Sequence, residues 1–140
     1  MKIRPVILCG GAGTRLWPKG SKHQAKQFID FGGWTLINKT FERIKNNIYD
    51  YPIISTNAKY IKEVKKALKK SKIKKFKIVL EPAKKNTAPA ILASALIKDI
   101  PINQPLMFFA ADHLIEKSGI LNKSINKLSL IHISEPTRPY

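Results

Sequence analysis

Four short apolar runs punctuate the chain, at residues 6–9, 52–55, 77–80 and 106–110, and amphipathic segments separate them. The runs do not alternate apolar with polar, as strands wetted on one face do, so they read as strands buried on both faces. Residues 35–46 read as a helix, with Thr35 as its cap and Leu36, Ile37, Thr40, Phe41 and Ile44 on one face. Asn57 is placed to cap a second helix running to about Lys70, and residues 87–99, dense in Ala, Leu and Ile, form a third, close against the sheet. Parallel neighbours need a crossover and helices supply it, so this alternation predicts an α/β fold: a doubly wound, mostly parallel sheet with helices on both faces. In such sheets ligands gather outside the carboxyl ends of the strands. Chemistry is therefore expected just after Cys9, Leu80 and Ala110.

Composition narrows the classes of function. A chain of 140 residues, 44% hydrophobic, is long enough to bury one core. No run approaches the roughly 18 apolar residues of a membrane span, and the first residues lack a secretory apolar core, so a cytoplasmic protein with no membrane partner is expected. Cys9 is the only cysteine, which excludes an internal disulfide, and no Cys/His spacing suits structural zinc. The net charge of +17 raises nucleic acid as a partner. Yet the excess is mostly lysine between residues 59 and 77, where Ile61, Val64 and Leu68 keep helical spacing inside a lysine surround, the pattern of a solvated helix face. No nucleic-acid-binding motif accompanies it, and a nucleic-acid partner is not expected.

The segment from Leu8 to Lys26 carries the chemistry. Gly10, Gly11 and Gly13 let the backbone turn sharply and aim successive amides, with Thr14 beside them, into one concavity that suits phosphate. No Gly-Lys-Ser/Thr closes the loop, so it is not a Walker A motif. Leu16 stands where a dinucleotide fingerprint needs its third glycine, and Ser55-Thr56-Asn57 offers no ribose-binding acid. Two cations follow instead, Arg15 with its planar fork and Lys26 as a compact point charge, a pair suited to polyphosphate. After the third strand comes Glu81-Pro82, then Asn86-Thr87-Ala88-Pro89-Ala90-Ile91. Asn86 or Thr87 is placed to cap the helix, and Pro89 falls in its first turn, where a missing N–H costs nothing. Ala111-Asp112-His113 ends the fourth strand and places a carboxylate where Mg²⁺ bridging phosphates could be held.

Taken together, Gly11-x-Gly13-x-Arg15-Leu16-Trp17-Pro18 and Lys26-Gln27-Phe28 resemble the opening motif of the sugar-1-phosphate nucleotidyltransferases, in the form of the branch that transfers guanylyl to mannose 1-phosphate. The segment from Glu81 to Ile91 resembles the second motif, Ala111-Asp112-His113 the third, and Thr35-Leu36-Ile37 with Thr40 and Arg43 the first helix. Ala25 and Ala110 stand where the family usually has proline. The resemblance covers residues 3–128 and implies a Rossmann-like nucleotidyltransferase with GTP and mannose 1-phosphate as substrates and Mg²⁺ as cofactor. It implies Arg15 and Lys26 as catalytic residues on the phosphates, and Asp112 as the metal ligand. The implied nucleotide site is Leu8, Gly10, Gly11, Gly13, Thr14, Arg15, Lys26, Glu81, Asn86, Thr87 and Asp112, with Glu81 and Asn86 toward base and ribose. Family members are much longer, so residues 1–128 are expected to be the N-terminal nucleotide-binding part, inactive alone, of an enzyme that is open to homo-oligomerisation when full length. The last residues, 129–140, lose the Lys/Asn/Ile bias and read as a non-native tail. A uridylyl-, thymidylyl- or adenylyltransferase is the rival within the class, and a basic nucleic-acid-binding module the rival outside it.

Overall fold

The structure, a computed structural model, describes residues 2–10, 25–81 and 87–131. Four strands, β1 (Arg4–Leu8), β2 (Ile53–Asn57), β3 (Lys77–Glu81) and β4 (Leu106–Ala110), form one sheet in the order β3-β2-β1-β4. Every pairing is parallel, with Val6 opposite both Ile53 and Phe108, and Asn57 opposite Glu81. The expected strands are all present. Between them run α1 (Leu36–Arg43), α2 (Ile61–Lys70) and α3 (Thr87–Ala95), and α4 (Ser118–Ile131) follows β4.

One face of the sheet, with Ile7, Ile54 and Phe109, joins Ile37 and Phe41 of α1, Val64 and Leu68 of α2 and Ile125 of α4 in a single core. Val6 and Ile53 are also fully buried but stand apart from that cluster. They belong to the opposite face, where α3 lies against β1, β2 and β3 through Ala90 and Ser94. The lysines of α2 stay exposed while Val64, Ala67 and Leu68 are buried, so the basic segment is an amphipathic helix on this sheet.

Several boundaries differ from the sequence expectation for local reasons. Thr35 does cap α1, accepting from the Asn38 N–H, but the helix ends at Arg43, not near residue 46. Asn46 instead accepts from the Ile48 N–H, an Asx turn that competes with further helix. Asn57 does cap, but what it caps is a single 3-10 turn, Ala58–Tyr60, which feeds into α2. Helix α3 stops at Ala95, short of residue 99: Ile100 N–H closes a turn on Ile97 O, and Pro101 disfavours helix at the residue before it. Helix α4 had no counterpart in the sequence reading. It runs to Ile131, past residue 128, and residues 132–140 of the suspected tail lie outside the described residues.

The amino ends of three strands are tied by one side chain. Arg4 is 4% exposed at its side chain and donates from Nη2 to Asp50 Oδ2 at 2.8 Å, from Nε to Gln104 Oε1 at 3.1 Å and from Nη1 to Tyr51 O at 3.0 Å. Its guanidinium also covers the Tyr51 ring at 3.6 Å. Burial works against the charged form of Asp50, but the Tyr51 N–H, the Gln104 amide and the charges of Arg4 and Lys75 outweigh it and hold the carboxyl below its usual range. A depressed folded-state value stabilises above the unfolded value, near ~3.9, and that contribution is lost as pH falls through the folded value. Asp50→Asn is therefore expected to cost about 1–2 kcal/mol at neutral pH. Denaturant melts at descending pH should show the gap to the parent closing below about pH 4; a gap that stays constant into acid would contradict the ion pair's role.

Candidate functional site

A sheet ordered β3-β2-β1-β4 reverses direction of growth between β1 and β4, and the crevice at that switch point is where open α/β sheets take ligands. The exit from β1 is held firmly. Cys9 N–H donates to Ser55 O at 2.8 Å, and Cys9 O accepts from Gln27 Nε2 at 3.2 Å and Thr56 Oγ1 at 3.4 Å. Leu8 O accepts from Ala111 N–H at 3.1 Å, tying the exits of β1 and β4 together. Burial pushes the Cys9 thiol up to about 12 despite hydrogen bonds from Gln27 and Thr56. At neutral pH it is a small apolar residue, not a nucleophile.

Gly10 and Glu81, far apart in sequence, meet here. Glu81 ends the edge strand β3, and its carboxylate reaches back across β2, accepting from Ser55 Oγ at 2.7 Å. A Cβ on Gly10 would lie 2.6 Å from Glu81 Oε2. The absence of a Cβ at Gly10 leaves room for this close approach, a role distinct from the sharp turn expected of it. Asn57 Nδ2 donates to Glu81 O at 3.3 Å and steadies the same strand end.

On the other side of β1, the 3-10 turn Lys26–Phe28 brings Lys26 Nζ to 3.6 Å from Asp112 Oδ2, both side chains remaining partly exposed, at 31% and 40%. The loop bearing Asp112 is anchored from below: Arg43 Nη2 donates to His113 O at 2.9 Å, and Asn122 of α4 donates to Arg43 O while accepting from the Tyr49 hydroxyl. His113 is mostly exposed, its Nε2 3.8 Å from Asp112 Oδ1. No group of three or more His, Cys, Asp or Glu able to hold a metal occurs among the described residues. Asp112 is a single half-exposed carboxylate, a donor set that fits Mg²⁺ drawing its remaining oxygens from phosphate and water.

Of the expected site residues, Leu8, Gly10, Glu81, Lys26 and Asp112 thus sit at the carboxyl end of the sheet. Thr87 opens α3 at the same end. Gly11, Gly13, Thr14, Arg15 and Asn86 lie outside the described residues. Sequence reasoning missed Ser55 as the partner of Glu81 and Gln27 as the brace on Cys9. A serine in the otherwise apolar Ile53-Ile54 run was the visible signal for the first. Nothing local pointed to the second.

Residues 4–130 match the family model described as nucleotidyl transferase, and the chain belongs to that family. A mannose-1-phosphate guanylyltransferase of Salmonella montevideo is 36% identical over 124 residues, covering 88% of this chain and 26% of that protein. Among solved structures, a mannose-6-phosphate isomerase from Helicobacter pylori superposes with a TM-score of 0.72 at 28% identity, over 91% of this chain and 45% of that one. A protein described as mannose-1-phosphate geranyltransferase from Thermus thermophilus gives 0.74 at 22% identity, over 100% and 43%. The chain thus spans about a quarter of the length of that curated relative and less than half of those structures.

If Ser55 and Gly10 act on one carboxylate, their effects must overlap. Ser55→Ala and Gly10→Ala should each lower unfolding stability by about 1 kcal/mol, the value of one hydrogen bond, because an added Cβ at Gly10 displaces the flexible end of Glu81 from Ser55. The double variant should lose clearly less than the sum of the two, as contacts sharing a partner do. Full additivity in a urea-denaturation cycle would show that Glu81 does not connect them.

Proposed function

We propose that residues 1–128 are the nucleotide-binding part of a cytoplasmic mannose-1-phosphate guanylyltransferase, which makes GDP-mannose and pyrophosphate from GTP and mannose 1-phosphate. The observation that carries this is the Lys26–Asp112 pair at the switch between β1 and β4, a cation and a carboxylate within 3.6 Å at the mouth of a parallel sheet. The names of the curated relatives support the choice of nucleotide and sugar.

The reaction displaces pyrophosphate from the α-phosphorus of GTP by a phosphate oxygen of the sugar phosphate. That oxygen is already anionic near neutral pH, so no general base is needed and the work is alignment and charge neutralisation. Lys26 balances charge on the β- and γ-phosphates and on the departing pyrophosphate, a role that Arg15 shares. The amides after β1, with Gly10, Gly11, Gly13 and Thr14, cradle the phosphates, while Glu81, Asn86 and Thr87 border base and ribose. Asp112 would hold Mg²⁺, which when bound supplies charge neutralisation across the phosphate oxygens. Lys26 and Asp112 exchange their mutual contact for nucleotide and metal; both are exposed enough to do so without unburying a charge.

Sugar-binding residues and a second metal-binding acid are proposed to lie in sequence beyond this chain, and residues 129–140 to be a non-native tail. On that reading the chain binds GTP but makes no GDP-mannose alone. Calorimetry against GTP, UTP, dTTP and ATP with Mg²⁺ should rank GTP first; tighter UTP binding would end the guanylyl assignment. Lys26→Ala should weaken GTP about ten- to a hundredfold, the worth of one charge-assisted hydrogen bond. Asp112→Asn should abolish the dependence of GTP affinity on Mg²⁺. Robust GDP-mannose formation by the purified chain would overturn its proposed incompleteness.

A further inference from the structure

A second cavity lies away from the β1–β4 crevice, between α1, α2 and the segment joining the Lys26–Phe28 turn to α1. Its volume is about 530 Å³, within the range of small-molecule sites. The floor is apolar, made by Ala25, Phe28 and Ala67, with the Phe28 and Tyr60 rings 5.5 Å apart. On α2, Glu63, Lys66, Ala67 and Lys70 share one face at helical spacing and form one wall.

Three polar groups at this wall are not committed to another described residue, and two of them, Glu63 and Lys66, are exposed to solvent. Tyr60 is only 6% exposed and its hydroxyl makes no hydrogen bond to any described residue. No sealed side-chain oxygen among the described residues lacks a partner, so this hydroxyl keeps access to solvent, and Tyr60 is one of the residues lining the cavity. Glu63 and Lys66, one turn apart, make no ion pair with each other or with another described residue. Lys70, a turn further on, is held toward the cavity by its contact with Gly33 O and has protons to spare. Asp30, a second carboxylate in the lining, is engaged by the Gly33 N–H, and Asn38 and Thr35 are mutually satisfied; these three shape the wall without asking for a ligand.

We propose that this cavity is a binding site for a phosphate ester of a polyhydroxylated ring. Lys66 and Lys70 take the phosphate, as ammonium groups one turn apart can. Glu63 and the Tyr60 oxygen accept from ring hydroxyls, and the C–H face of the ring rests on the Tyr60 and Phe28 side. The site stands whether or not the guanylyl reading is right, since none of its residues belongs to the β1–β4 crevice. Phe28 is nevertheless the last residue of the turn whose first residue is Lys26, so the cavity adjoins the crevice through that turn.

Two sources of such an ester differ in what the ring carries, and the probes separate them: glucose 6-phosphate, adenosine 5′-monophosphate and inorganic phosphate, titrated into the ¹⁵N-labelled 140-residue chain. At least one ester is expected to shift the amides of residues 60–70 saturably, and to bind at least tenfold more tightly there than inorganic phosphate. Response to the hexose ester alone assigns a sugar phosphate, and response to the nucleoside ester alone a nucleotide. Lys66→Ala, at an exposed position that leaves the fold intact, should weaken that ester about tenfold. Glu63→Ala should weaken the ester while leaving inorganic phosphate unchanged or slightly tighter, because it removes an acceptor for hydroxyls and a like charge. Equal affinity for inorganic phosphate, shifts confined to residues near Lys26 and Asp112, or an unchanged affinity in Lys66→Ala would each overturn the proposal.

Discussion

Strand β1 is the piece on which the other elements depend. It pairs on both sides and is buried on both faces, so its direction fixes β2 and β4 and, through β2, the edge strand β3. A strand so placed has no freedom to slip, because a one-residue shift would turn Ile7 from the core of α1, α2 and α4 to the other face and bring Val6 or Leu8 in its stead. Both ends are also fastened by polar contacts. Arg4 ties its start to the segments before β2 and β4, and the Cys9 carbonyl ties its exit to Gln27 and Thr56. A buried guanidinium is costly unless every lobe is used, and Arg4 uses all of its own on groups that fix strand position.

The consequence for the site is a rigid frame under groups that remain accessible. Glu81 lies over Gly10 because β3 is held in register with β2 and because no Cβ stands in the way. Asp112 follows a strand paired to β1 along its length, and its loop is caught by Arg43 through the backbone of His113. Preorganisation of this kind puts the cost of ordering charged groups into folding, so that little of it falls on ligand binding.

The architecture was legible in the sequence because its signals were local. Unalternating apolar runs marked strands with two covered faces, and lysines around Val64 and Leu68 marked a surface helix. Element ends were less legible, since they turn on contacts such as the Asn46 side chain taking the Ile48 N–H, which compete with helix by margins that composition does not reveal. Helix α4 escaped notice because its face is only partly apolar: Ile125 is buried, while Ile120 and Leu128 are exposed. In the site, residue types suited to phosphate chemistry were readable at strand ends, and Lys26, Glu81 and Asp112 do lie there. Their pairing was not. That Gly10 belongs with Glu81 and Ser55, and Lys26 with Asp112, depends on strand order and register, and both are long-range properties.

The turn Lys26–Phe28 shows how the frame distributes roles within three consecutive residues. A 3-10 turn sends successive side chains about a third of a revolution apart, so neighbours in sequence face different surroundings. Lys26 goes to Asp112 at the mouth of the sheet, Gln27 goes inward to the Cys9 carbonyl, and Phe28 goes to Tyr60 at the cavity beside α2. Gln27 is 3% exposed and Phe28 8%, so neither can rotate without disturbing its packing, and Lys26 inherits its position from them. The cation is held less by its own contact, a half-exposed pair of modest worth, than by the two buried residues that follow it. The turn thus spans from the crevice, at Lys26, to the cavity, at Phe28, through the single buried residue Gln27, so one local conformation sets the geometry of both places.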